Sequence, residues 1–218
     1  MKSQFTFSLS VLLVLLLATT VHAENNVSVG IVIDGPVQQA GWSPQLFKNE
    51  LLTLAKGEVE IRFPESKQLD GGWTGDNIKA AFEQLQNDPD VDMVLTLGYV
   101  SSSVAVLYKP LQKPTFAPFV LDAELLGLPA NAITSGINNL NYLSGEADFT
   151  RSLTTFRNVI EYNNIVVLID QTSYETLTEA IERARQVAAK AGINLAFVLQ
   201  TKQNEDLAAK LPANTDAV

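Results

Sequence analysis

From Val27 onward, short apolar runs alternate with amphipathic stretches, and this order predicts parallel strands with helices laid on their faces. Residues 27–33 are almost wholly apolar and rich in β-branched side chains, as a strand buried on both faces requires, and they stop at the turn Asp34-Gly35-Pro36. Ser43-Pro44 offers an N-cap and a first-turn proline to a helix carrying Phe47, Leu51 and Leu54, ended by Gly57. A strand over 58–63 follows. The loop 71–74 then leads to a helix with Ile78, Ala81, Phe82 and Leu85 inward, which Pro89 and its polar neighbours terminate. Strands are expected over 91–97 and 115–120, with a helix from the Gly98 loop through Tyr108 between them, and 121–141 reads as one long irregular connection.

The same order then restarts. A helix is expected over about 148–160 and a strand over 165–169. Thr172 and Glu175 form a capping-box pair before one long helix with Leu177, Ile181, Ala184 and Ala188 on its inner stripe, stopped by Gly192. A strand over 194–199 and a short helix over 203–210 complete the pattern. The fold class is therefore α/β with parallel sheets in two Rossmann-like units, and the second has too few strands to cover its own helices.

The first 23 residues carry a different signal. Lys2 gives a positive start, the apolar run 11–18 is shorter than the ~20 residues that span a bilayer, and Val21-His22-Ala23 closes it with small residues at the cleavage positions. This is the pattern of a secretory signal peptide, which implies a periplasmic protein with no stable membrane insertion once residues 1–23 are removed. No cysteine follows Ala23, so nothing supports a lipid anchor.

The 218-residue chain holds 15 basic and 24 acidic residues, no cysteine, and one histidine that falls inside the leader. A processed chain so composed has no histidine-based triad, no thiol nucleophile, and no zinc site of imidazole or thiolate, because each needs a side chain that is missing. The acidic balance without basic runs argues against nucleic acid, whose binding needs Lys and Arg on phosphates. No residue pattern calls for a cofactor or a metal.

Ligands of open parallel sheets sit beyond the carboxyl ends of the strands, where loops and helix N-termini converge. That rule selects the stretches 34–36, 71–74, 98–103, 121–122 and 170–173, and within them Asp34 and Gly35, Gly98 with Tyr99, Val100, Ser101 and Ser102, Asp122, and Asp170 with Thr172. Gly98 allows close backbone approach, and residues 100–103 would put free amides and hydroxyls at a helix N-terminus, favourable to a carboxylate. Asp34, Asp122 and Asp170 each follow an apolar strand and could receive an ammonium group. The plain alternative is an ordinary serine-rich cap and turn-forming aspartates. Trp42, Trp73 and Tyr99 lie in or beside these loops and could stack on a ligand. Neither a phosphate-binding loop nor a dinucleotide fingerprint is present.

The segments 95–103, 113–116, 121–122 with Gly127-Leu128, 131–136, 164–195 and 211–218 resemble, in their order of elements, the tryptophan-binding-like substrate-binding proteins of ABC transporters. The resemblance implies a type I periplasmic binding protein fold: an N-terminal α/β lobe with hinge connection over 24–143, and part of a second lobe over 144–218. It implies a non-enzymatic protein that holds a small molecule, such as an amino acid or related carboxylate, between the lobes and presents it to the membrane permease of an ABC transporter. On that mapping Asp216-Ala217-Val218 starts a further strand of the second lobe, whose remainder would be missing. The usual threonine-proline-alanine pattern after the third strand is here Tyr99-Val100-Ser101, and the Asp-Pro turn is Asp122-Ala123. Two rival readings stand beside it: a periplasmic accessory or sensor protein with the same fold, and a carboxylate-based hydrolase.

Overall fold

The computed structural model describes residues 26–36, 44–129, 134–145, 148–200 and 206–218. The leader, Trp42, Ser43 and the first part of the 203–210 segment lie outside the described residues.

Among the described residues every strand pairing is parallel. In the first unit, β1 (Asn26–Ile33) is central, with β4 (Met93–Leu97), β5 (Thr115–Val120) and β6 (Leu140–Ser144) following on one side. Its other side is shared by two short strands. β2 (Glu60–Arg62) pairs with the start of β1 and β3 (Gln68–Asp70) with its end, separated by a single 3-10 turn at Glu65–Lys67. The helices are α1 (Pro44–Leu54), α2 (Gly75–Asn87) and α3 (Tyr99–Leu107).

The two-residue period of β1 sorts its side chains onto two cores. Val29, Ile31 and Ile33 join Leu95 and Leu97 beneath Phe47 and Leu51 of α1. Val32 faces the opposite side, among Ile78, Phe82 and Leu85 of α2 and Val100, Val104 and Val106 of α3. Gly30 is where α2 comes closest, since a Cβ there would lie 2.9 Å from a Leu85 methyl. Phe82 is fully buried, a contribution of about 1.5–3 kcal/mol.

The second unit contains α4 (Phe149–Arg157), β7 (Asn164–Asp170), α5 (Gln171–Thr176), α6 (Thr178–Lys190) and β8 (Asn194–Gln200). β7 and β8 pair in register along their whole length, and Leu153, Tyr162, Ile165, Ala188 and Ile193 form the core beneath them. Ala217 bridges Ile165 in parallel on the other edge of β7, as expected of residues 216–218, and Asp216 accepts the amides of Asn163 and Asn164 at 2.9 and 2.8 Å. No helix among the described residues is long and apolar enough to cross a membrane.

Four expectations need correction. Residues 121–141 run into a strand, β6, whose alternation is masked by Asn139 and Asn141 because it lies at the sheet edge and buries only Leu140 fully. The expected long helix is broken at Leu177 into α5 and α6. The cap of α5 is Asp170, which accepts the amide of Ser173 at 2.9 Å, and not the Thr172–Glu175 pair. The described part of 203–210 holds one 3-10 turn, Ala208–Lys210.

Candidate functional site

The carboxyl end of β1 sets the geometry of the site. Asp34 is almost fully buried and accepts two backbone amides from the first turn of α3, Ser101 at 2.8 Å and Val100 at 3.0 Å. The carboxylate thus caps the helix that follows the neighbouring strand β4 and ties β1 to α3. Gly98 makes room for it: a Cβ there would lie 2.2 Å from the Asp34 carboxyl carbon. Burial pushes the Asp34 pKa up despite the Ser101 and Val100 hydrogen bonds, and the charge of Asp170 pushes it the same way.

Gly35 has the same relation to Trp73. A Cβ at Gly35 would meet the indole at 2.1 Å, so the ring lies directly over the backbone turn. The Trp73 amide donates to the Asp34 carbonyl at 2.8 Å, and the Gly71 amide to the Ile33 carbonyl at 2.9 Å. The end of β1 and the loop after β3 therefore form one wall.

The second unit meets this wall through the N-terminus of α5. The Tyr99 hydroxyl, at the start of α3, donates to Asp170 Oδ2 at 3.0 Å and shares a hydrogen bond with the Ser173 hydroxyl. Ser173 also donates to Asp170 through its hydroxyl, and Thr172 donates through Oγ1 to the Trp73 carbonyl. Burial works against the Asp170 carboxylate, but the hydrogen bonds from Ser173 and Tyr99 outweigh it and hold its pKa below the usual range. Burial, with the negative charges of Asp170 and Asp34, pushes Tyr99 up to about 12 against the Ser173 hydrogen bond. Tyr99 is accordingly a neutral hydrogen-bonding group near pH 7.

The sequence-selected residues fall into two groups. Gly35, Gly98, Tyr99, Asp170 and Thr172 come together where the units face each other. Asp34, Val100, Ser101 and Ser102 form the frame behind Tyr99, whereas Asp122 bonds to Leu125 and Phe149. The free amides expected at residues 100–103 are not all free, because Asp34 holds those of Val100 and Ser101. The Ser101 hydroxyl donates back to the Gly98 carbonyl, the Ser103 hydroxyl to the Tyr99 carbonyl, and the Ser102 hydroxyl bonds Thr96 and accepts the Phe119 amide. Asp122 accepts the amides of Leu125 and Phe149, each at 2.9 Å, tying the end of β5 to the first turn of α4.

Within the strand-end stretch 170–173 the sequence reading picks Asp170 and Thr172, and it is Ser173 that joins Tyr99 to Asp170. The spacing Asp170-x-x-Ser173 at a strand end is the signal that marks it, an aspartate cap with a hydroxyl three residues on. Gly75 and Thr176 were also missed. They meet where α2 passes α5, and a Cβ on Gly75 would lie 2.2 Å from Thr176 Oγ1. Farther along the contact, Leu177 and Ala180 pack into the α2–α3 core, and Arg183 donates to the Leu125 carbonyl at 2.9 Å.

No family model matches the chain, and no curated protein matches it. Solved structures do. A leucine-binding protein from Thermotoga maritima superposes with a TM-score of 0.54 at 13% identity, covering 84% of this chain and 51% of that one. A periplasmic binding protein from Burkholderia mallei gives 0.54 at 10% identity, covering 85% and 49%. The ABC domain from Streptococcus pneumonia in complex with L-Trp gives 0.47 at 17% identity, covering 84% and 60%. The first two span about twice the length matched here. The first two are a leucine-binding protein and a periplasmic binding protein, and what this chain shares with them is the type I periplasmic binding protein fold.

Proposed function

We propose that the chain is the non-enzymatic ligand-binding part of a periplasmic solute-binding protein serving an ABC-type uptake system. Residues 1–23 direct export, 24–143 form the N-terminal lobe with its hinge connection, and 144–218 belong to the second lobe. The ligand is an amino acid or a related carboxylate, held between the lobes and handed to a membrane permease.

One observation carries the reading: Tyr99 of the first unit reaches Asp170 and Ser173 of the second, so strand-end groups of two parallel sheets converge on one place. The Val100 and Ser101 amides are occupied by Asp34, so the charged contact best supported is a ligand ammonium on Asp170, with Tyr99, Ser173 and Thr172 supplying hydroxyls. Contacts that need both walls favour the closed arrangement by their differential binding energy.

The hydrolase reading has one point in its favour, since the pKa values of Asp34 and Asp170 move in opposite directions, as an acid–base pair requires. Against it, Asp34 lies behind Gly98 with both oxygens bound to backbone amides, where no substrate reaches it. The test is thermal unfolding over a panel of amino acids and small carboxylates. A ligand at about a hundred times its Kd adds about 2.7 kcal/mol, which raises the Tm by roughly 5 °C or more. Asp170→Asn should abolish the shift and Tyr99→Phe should reduce it. If no compound shifts the wild-type protein, or Asp170→Asn keeps the full shift, the proposal fails.

A further inference from the structure

We propose that a second small-molecule site lies in the groove between α2, α3 and α5, and that it takes a free α-amino acid with a compact apolar side chain. The groove encloses about 240 Å³ and is lined by Lys79 and Glu83 of α2, Val104, Leu107 and Tyr108 at the end of α3, and Thr176 of α5. It is separate from the strand-end site: Leu107 lies eight residues, about 12 Å, along α3 from Tyr99.

Three features match that occupant. Val104, Leu107 and Tyr108 give a continuous apolar wall. Lys79 and Glu83 stand one helical turn apart at the rim, and among the described residues neither forms an ion pair, with the other or elsewhere. Each therefore has its charge available, Glu83 for an ammonium and Lys79 for a carboxylate. Thr176 is 5% exposed, and its hydroxyl is buried without a hydrogen-bond partner, set against Gly75. Thr176 lines the groove, and a polar group bound there would offer its hydroxyl the partner it lacks.

The volume equals about eight waters at liquid density, room for one leucine or methionine. Because Thr176 belongs to the second unit and the other lining residues to the first, an occupant bridges the two. This proposal does not depend on the strand-end reading, since it uses none of its residues.

The test is a nuclear magnetic resonance titration of the full chain with L-leucine, and separately with isopentylamine and 4-methylpentanoate, which carry one charge each. L-leucine should shift the amides of Lys79, Glu83, Leu107 and Thr176 saturably, and the single-charge compounds should bind about tenfold more weakly. Lys79→Gln with Glu83→Gln should weaken L-leucine about tenfold. Thr176→Val should weaken it about threefold while leaving the Tm equal or higher, because an unsatisfied buried hydroxyl is removed. The proposal is overturned if L-leucine perturbs only the surroundings of Tyr99, Asp170 and Thr172, or nothing. Equal binding of a single-charge compound, or unchanged affinity in the double variant, overturns it too.

Discussion

Gly98→Ala is the sharpest test of how α3 is held. The added methyl would sit 2.2 Å from the Asp34 carboxyl carbon and 2.3 Å from both carboxylate oxygens, so the carboxylate must move. Those oxygens are fixed by the Val100 and Ser101 amides, and moving them weakens two buried hydrogen bonds to a charged acceptor, about 1.5 kcal/mol each at the low end. Gly98 also has φ 157° and ψ 161°, a backbone region suited to glycine, which adds about 1–3 kcal/mol for alanine. The total expected loss is about 4–6 kcal/mol, measured by urea unfolding followed by circular dichroism.

A double-mutant cycle separates the two contributions. In an Asp34→Ala background the carboxylate is gone, so Gly98→Ala should cost only its backbone part, about 2 kcal/mol, leaving a coupling of about 3 kcal/mol. If Gly98→Ala costs the same with and without Asp34, the glycine is not there to admit the carboxylate and the reasoning is refuted.

Asp170 has a lowered folded pKa, so its contribution to stability is present above the unfolded value of about 3.9 and lost as pH falls through the folded one. Acid unfolding of Asp170→Asn should lack that part of the wild-type loss, and an identical acid limb would count against the Tyr99–Asp170–Ser173 cluster. Asp34 has the opposite sign: its raised pKa gives stability below the unfolded value that declines as pH rises through the folded one, so Asp34→Asn should remove a loss on the alkaline side of that window. Tyr99 should ionise near pH 12 in an ultraviolet titration, and Tyr99→Phe should remove that late component. Loss of a component near pH 10 instead would place the tyrosine in solvent.

The sequence made most of the first unit legible because its strands are buried on both faces and so are written as uninterrupted apolar runs. Where burial is one-sided the writing fades. β3 and β6 lie at the edges, and their polar alternation reads as loop. The site was legible as a place but not as a set of contacts. An aspartate at a strand end looks the same whether it awaits a ligand or caps a helix: in the fold Asp34 is bound to α3, Asp122 to α4, and Asp170 caps α5 while also accepting Tyr99 of the other unit. The serines after Gly98 behave likewise: three hydroxyls in a row suggest a donor array, but helical geometry returns those of Ser101 and Ser103 to the preceding turn and buries that of Ser102 against Thr96.

The most direct measurement of how the two units face each other uses the absence of cysteine from the chain. A Cβ at Gly75 lies 3.5 Å from the Thr176 Cβ, within the span of about 3.5–4.5 Å that a disulfide bridges. In the variant carrying Gly75→Cys and Thr176→Cys, mild oxidation of the folded protein should leave no free thiol by mass spectrometry and form the intramolecular bond. Two thiols that stay reduced in the folded protein, or that cross-link only between molecules, would contradict the juxtaposition of α2 and α5 on which the site depends.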